Sequence, residues 1–296
     1  MKKSVITIGF FDGVHLGHRK LIATAIDEAR RSGFKAVLLT FDRHTKKNML
    51  LTPINEKLKL LKLFKLDEID VVEFTQKFAD MSAESFVEKY LVKKHNMGKL
   101  ITGYDFKFGK DRQGDKPLLG KLAKKYGYNL ISVGPVAVTD RKTGKKIIVS
   151  SSYIRECISR GNIKFANELL CGHYSTDGKI VKGGGIGAKL GFPTANIETQ
   201  NNKLLPMGVF AGYVLIDGKP HAAAANIGYN PTVTDKHEIR FEVHVINFKA
   251  SFKPGDILRF YFTDKLRDEK KFKDLEELKK QIKKDIKKLL KEEEKC

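Results

Sequence analysis

The sequence predicts a two-domain α/β chain, in which an open parallel sheet wound with helices is followed by a small antiparallel β-barrel and a C-terminal helix. Three observations carry this. Through about residue 160, short β-branched runs alternate with amphipathic helical patterns. From about Gly178 closely spaced, glycine-punctuated strands replace them, and beyond Asp274 apolar residues recur every three or four positions. Strand–helix alternation builds parallel sheets covered on both faces, whereas serial short strands close into barrels. At 296 residues with 41% hydrophobic content, the chain can bury two cores.

The first strand reads SVITIGF, followed by a helical pattern from Gly17 to Arg31 and the strand KAVLLTF. Next come IDVVEF, the helix SAESFVEKYLVKKH opened by Ser82, KLITG, a helical segment from Pro117 to Tyr126, and NLISV. In the second half VFAGYVLI and PHAAAANI flank Asp217 and Gly218, a hairpin signal because a two-residue turn needs positive φ. IRFEVHVI alternates, with Ile239, Phe241, Val243 and Val245 on one face and Arg240, Glu242 and His244 on the other. ILRFYFT is a further strand. Leu275, Leu278, Ile282, Ile286 and Leu289 mark the last helix, with Asp274 and Glu277 spaced like a capping box. The join falls between the helix ending near Leu170 and the strand opening at Gly178, which divides the chain into 1–172 and 173–296.

Composition narrows the function class. The net charge of +21 raises nucleic-acid binding, yet 45 Lys against 11 Arg are spread along the whole chain. Reading of phosphates and base edges favours Arg, so the charge is read as a solvated surface without a specific nucleic-acid partner. Cys157, Cys171 and Cys296 make neither a CxxC pair nor an even disulfide set, as expected of a reducing compartment. No apolar run approaches the roughly 18 residues of a membrane span, and MKKSVITIGF shows no cleavage site. A cytoplasmic protein with no membrane partner is expected, its oligomeric state left open.

Gly9-Phe10-Phe11-Asp12-Gly13-Val14-His15-Leu16-Gly17-His18 lies where the first strand ends and a helix begins. Glycines, a helix N-terminus and two histidines three residues apart suit a polyphosphate. A plain strand-to-helix turn, or a metal pair lacking companion ligands, are the alternatives. The segment resembles the HxGH signature of the nucleotidyltransferase superfamily, and GxFDGVHxGH resembles its FMN adenylyltransferase branch. Thr40-Phe41-Asp42, the run from Thr102 to Gly109, and Ser150-Ser151-Ser152-Tyr153-Ile154-Arg155 agree with it. All four segments fall just past predicted strands, where open α/β sheets bind ligands. The resemblance implies a Rossmann-like domain that joins FMN to ATP with loss of pyrophosphate. In it Gly9, Phe10, Asp12 and Gly17 bind nucleotide, His15 and His18 contact the triphosphate, Ser151, Ser152 and Arg155 hold its far end, and Asp105 lies near the flavin. A first-turn surface position is the other reading of Arg155. Tyr153 stands where the family usually has Arg, and His44-Thr45 where it commonly has His-Pro.

The run from Gly178 to Asn196 joins a glycine-rich loop to LGFPTAN. It is not a Walker A loop, since no Gly-Lys-Ser/Thr follows. It resembles the riboflavin kinase signature, and so do Gly208-Val209-Phe210-Ala211, the run from Asn226 to Thr232, Glu242-Val243-His244 and the run from Leu266 to Phe272. The resemblance implies transfer of the ATP γ-phosphoryl group to riboflavin in a small barrel. Thr194 and Asn196 would place Mg²⁺, with Glu242 as general base. Gly183, Gly185, Gly187, Pro193, Asn226 and Arg267 would bind nucleotide or flavin. From its alternation alone, Glu242 is equally a solvent-facing strand residue. Lys182 and Ala188 replace the family's usual His and Arg.

Together the two resemblances imply a bifunctional enzyme with ATP, riboflavin, FMN and FAD as substrates or products. Retention of one activity alone, or a basic nucleic-acid-binding protein on the same scaffold, are the alternatives.

Overall fold

The structure, a computed structural model, describes residues 2–43, 49–141, 143–229, 239–248 and 252–293. His44-Thr45, Asn230-Pro231-Thr232 and Cys296 lie outside them. The chain forms two compact units, Met1–Ser151 and Ser152–Cys296.

In the first unit β1 (Ser4–Ile8), α1 (Leu16–Ser32), β2 (Lys35–Phe41), α2 (Ile54–Leu61) and β3 (Glu68–Val72) build one wing. The short α3 (Gln76–Ala79) and α4 (Ala83–Phe86) follow, α4 continuing as a π-helix over Val87–Lys94. Then come β4 (Met97–Gly103), a 3₁₀ turn at Lys110–Arg112, α5 (Lys116–Tyr126) and β5 (Asn129–Val133). The five strands form a parallel sheet in the order β3-β2-β1-β4-β5, so the order reverses between β1 and β4. Ligands of open sheets bind at such a reversal, beyond the strand C-termini. β1 is buried along its whole length, as a central parallel strand must be. A two-stranded ribbon of β6 (Ala137–Thr139) and β7 (Lys146–Ile148) lies apart from the main sheet. The serine motif follows β7, so only three of the four motif segments follow strands of the main sheet, a correction to the sequence reading. The alternating pattern also left α2, α3 and the ribbon unread.

In the second unit α6 (Ser151–Ser159), whose first residue belongs to the first unit, and α7 (Ile163–Leu170) precede β8 (Ser175–Val181), α8 (Ile186–Lys189) and β9 (Ala195–Thr199). Next are β10 (Gly208–Ile216), β11 (Lys219–Tyr229), β12 (Ile239–Val245), β13 (Ile257–Arg267) and α9 (Leu275–Glu293). Six strands close into an antiparallel barrel in the order β10-β11-β12-β9-β8-β13. The β10–β11 hairpin turns at Asp217 and Gly218 with φ of 52° and 75°, as the turn chemistry requires. β12 buries Phe241, Val243 and Val245, but Ile239 at its open end is 38% exposed.

Phe210, Phe241, Phe260 and Phe262 fill the barrel, with ring centroids 4.8 to 6.4 Å apart. Such close ring packing is that of a small barrel whose interior is filled by side chains. α9 packs on the outside, where Ile286, Leu289 and Leu290 meet Val209, Ala211, Ala222, Ala224 and Leu266. Its cap differs in detail from a capping box. The Glu277 amide donates to Asp274 Oδ1 at 2.8 Å, but the Glu277 carboxylate accepts from the Lys273 amide, one residue before the cap. Among the described residues no helix is long and apolar enough to cross a membrane.

Candidate active sites

The motif after β1 is a tight turn that buries Phe11, Asp12, Val14 and His15. Asp12 holds it closed: its carboxylate accepts from the Leu51 amide at 3.1 Å and from the Thr52 amide and hydroxyl at 2.8 and 3.2 Å. Thr52 Oγ1 in turn accepts from the Gly13 amide at 2.8 Å. Both oxygens of Asp12, placed among the nucleotide-binding residues by resemblance, are thus engaged by the chain itself. Ser151 reaches the same turn, its hydroxyl donating to Asp12 O at 2.9 Å. Phe11 packs over Gly9, and Gly17 leaves space for the His15 ring, which a Cβ there would meet at 3.3 Å.

The two histidines stack face to face, centroids 3.6 Å apart and planes 20° apart, while His18 meets Phe11 edge-on at 5.2 Å. His18 is half-buried, but its Nδ1 is sealed off with no hydrogen-bond partner among the described residues. Burial, then the charges of His15 and Lys57, hold its pKa well below the usual imidazole value. The His18 imidazole therefore stands neutral against His15 at neutral pH. Below about pH 6.5 an unfolded chain takes up a proton on His18 that the native state refuses. Stability should fall on acidification from that point, by at most about 1.4 kcal/mol per pH unit from this one group. Melting temperatures between pH 7.5 and 5.5 should drop more for the wild type than for His18→Gln; parallel slopes would exclude this linkage.

Beside the ends of β1 and β2 lies a cavity of about 170 Å³ whose walls include Ile8, Phe41, Phe74, Phe78, Phe106 and Phe108, with Lys107 and Arg112 also lining it. Phe106 and Phe108 stack at 5.4 Å. Asp105, exposed at the end of β4, precedes that stretch. Ser152 and Arg155 belong to the second unit, within the first turns of α6, on the helix that Ser151 opens.

In the barrel, strand register assembles the second site. Glu242 pairs with Asn196 on one neighbouring strand and with Asn226 on the other. Asn226 pairs with Val209, and Val209 with Arg267. Residues paired across a sheet share one face, so this line runs at one level round the outside of the barrel. Gly187, Thr194, Asn226, Glu242 and Arg267 line a cavity of about 210 Å³ there, closed by Leu278, Ile282 and Ile286 of α9.

His244 Nδ1 donates to Pro193 O at 2.8 Å, tying the LGFPTAN segment to β12. Arg267 donates from Nε to Asp285 Oδ2 at 2.9 Å, and Gln281 donates to Asp285 Oδ1 at 2.7 Å, so this arginine also fastens α9 over the cavity. Arg240, also in the wall, points Nε at Glu242 Oε2 from 3.8 Å. Pattern reading singled out neither Arg240, Asp285 nor Lys57. Charged residues in amphipathic elements read as solvated faces, and no spacing distinguishes these.

The glycine loop is not uniform. A Cβ at Gly183 would fall 1.8 Å from Asn196 Nδ2, whereas at Gly184 and Gly185 nothing lies within 4 Å. Gly183→Ala should therefore displace Asn196 and lower activity in this site about tenfold or more, the scale expected of a misplaced contact. Gly184→Ala should leave it nearly intact. Equal effects would mean that the Gly183–Asn196 packing is irrelevant.

Two family models match the chain: FAD synthetase over residues 1–150 and riboflavin kinase over residues 170–292. Bifunctional riboflavin kinase/FMN adenylyltransferases are similar over nearly the whole length. The protein of Listeria monocytogenes is 34% identical over 95% of this chain and 90% of its own. That of Bacillus subtilis is 32% identical over 96% and 90%, and that of Escherichia coli 33% over 95% and 90%. Among solved structures, one described as a macrolide-efflux protein from Streptococcus pneumoniae superposes with a TM-score of 0.83 at 30% identity, covering 97% of this chain and 93% of that one.

Proposed function

The chain belongs to the family of bifunctional riboflavin kinases/FMN adenylyltransferases, and from that premise we propose how its residues divide the work. The enzyme phosphorylates riboflavin with ATP to give FMN and ADP, and adenylylates FMN with ATP to give FAD and pyrophosphate. The observation that supports the assignment best is that each unit has its own built site, one an apolar cavity outside a barrel with Asn226, Glu242 and Arg267 in its wall, the other at the order reversal of a parallel sheet.

In the kinase site the flavin ring occupies the apolar cavity under α9. Glu242 takes the proton of the 5′-hydroxyl as that oxygen bonds to the γ-phosphorus and the bond to ADP breaks. Gly183, Gly185 and Gly187 let backbone approach the phosphates, with Lys182 as a point charge. Pro193, Asn226 and Arg267 shape the rest of the pocket. The hydroxyl of Thr194 and the amide oxygen of Asn196 are hard, neutral donors that fit Mg²⁺, an ion that keeps several waters and shares phosphate oxygens. When bound, it would neutralise charge on the β- and γ-phosphates.

In the adenylyltransferase site an FMN phosphate oxygen attacks the α-phosphorus of ATP and pyrophosphate leaves. Gly9, Phe10 and Gly17 shape the turn, and Asp12 serves by keeping it closed. His15 and His18 donate to the phosphate oxygens as charge builds, which is where such groups contribute most. Ser151, whose hydroxyl reaches Asp12 O, holds the far end of the triphosphate. The aromatic cavity takes the isoalloxazine, with Asp105 at its edge. We read the basic surface as solvated, the partners as small molecules and the site of action as the cytoplasm. Incubating the purified protein with riboflavin, ATP and Mg²⁺ should show FMN rising and then passing to FAD on chromatography. Absence of both products would overturn the reading.

A further inference from the structure

Lys57 on α2 belongs to neither motif, yet it is 1% exposed. Its ammonium donates to Phe10 O at 3.0 Å, Phe41 O at 2.8 Å and Thr40 Oγ1 at 3.1 Å. It also lies 4.1 Å from the centre of the Phe10 ring. All three ammonium protons are used. The acceptors sit where the chain leaves the C-terminal ends of the adjacent strands β1 and β2, and Thr40 Oγ1 itself donates to Phe10 O at 3.2 Å.

Burying an ammonium is costly even when its protons are satisfied, and an apolar residue of similar size is often no less stable. A lysine here therefore calls for a use of its charge. Among the described residues it forms no ion pair. The nearby carboxylates are occupied: Asp12 by Leu51 and Thr52, and Asp42 by the Phe74 amide at 2.8 Å. The charged or titratable groups whose fields couple to it are Asp12 after β1, Asp42 after β2 and His18 on α1.

We propose that Lys57 is a positioning residue for adenylyl transfer: its ammonium pins the ends of β1 and β2 beneath the Gly9–His18 turn and sets a fixed positive charge behind the His15–His18 pair. The first effect holds Phe10 in place at the entrance to the turn. The second keeps the His18 imidazole neutral until phosphate arrives and adds to the potential that the phosphate meets, without reorganisation during the reaction. This rests on reading that turn as the ATP phosphate site. Burial brings the Lys57 pKa down to about 8, against the pull of Asp12 and Asp42, so the charge is present at neutral pH and lost above it.

The test uses the full chain in three arms. In the wild type, kcat for FMN adenylylation should decline through a midpoint near pH 8, while riboflavin phosphorylation in the same sample lacks that limb. In Lys57→Met, adenylylation kcat should fall about 10- to 100-fold with KM for FMN changed less than about threefold, phosphorylation should persist and the alkaline limb should vanish. In the same variant, NMR titration should show the His18 midpoint moved upward, and Lys57→Arg should bring it back. Wild-type kcat in Lys57→Met, or a lowered kcat with His18 titrating as before, would overturn the proposal, the latter reducing Lys57 to structural support. Should Lys57→Met not fold, the wild-type profile decides: FAD formation with no limb near pH 8 sinks the role of Lys57 alone. A wild type that forms no FAD at any pH sinks the adenylyltransferase reading and this role with it.

Discussion

Glu242→Gln is expected to slow riboflavin phosphorylation by about a hundredfold or more while adenylylation of supplied FMN continues at the wild-type rate. Gln keeps the size and hydrogen-bonding shape of Glu but cannot take a proton, and lost general-base catalysis is typically worth about 10² to 10⁴ in rate. The backbone will not move, because Glu242 is fixed by pairing with both Asn196 and Asn226. The partner most affected is Arg240, 3.8 Å away, which loses its counter-charge. Both side chains are partly open to solvent, so that loss should cost little stability. Initial rates of FMN formation from riboflavin, and of FAD formation from FMN, measure the two halves separately. A Glu242→Gln enzyme that phosphorylates riboflavin normally would remove Glu242 from the mechanism.

The second large effect is the reverse. His18→Ala should let FMN accumulate without FAD, because it deletes a donor aimed at the transferred phosphate. Such a loss is worth about 3 to 4 kcal/mol, or about 10² to 10³ in rate. The ring also stacks on His15 and meets Phe11 edge-on, so some local packing goes with it. Phosphorylation by the other unit is the internal control for an intact preparation, and a thermal melt reports on the first unit. If either variant abolishes both reactions in a folded protein, separate catalytic sites are the wrong description.

Much of this was legible in the chain because the informative features are local. Turn chemistry at Asp217 and Gly218 sets the β10–β11 hairpin, and period-two alternation puts Glu242 and His244 on the face of β12 opposite Phe241 and Val243. The HxGH turn reads as a strand-to-helix junction because glycines, a buried strand and an amphipathic helix follow one another within a few residues. The first unit closes at Ser151 and the two family models cover 1–150 and 170–292, while the helical texture of α6 and α7 runs between them without a break.

The order and type of the elements and the residue classes in each motif are thus local properties, consequences of neighbours within about ten positions. Tertiary structure alone decided three things. It filled the barrel with phenylalanines and so put the kinase cavity outside, under α9. It spent both oxygens of Asp12 on Leu51 and Thr52, about 40 residues away in sequence. And it buried Lys57, which in EKLKLLKLFK reads as one more solvated lysine. The reason is the same in each case. Whether a polar group is worth burying depends on acceptors and donors that distant strands bring to it, and no local pattern records their arrival.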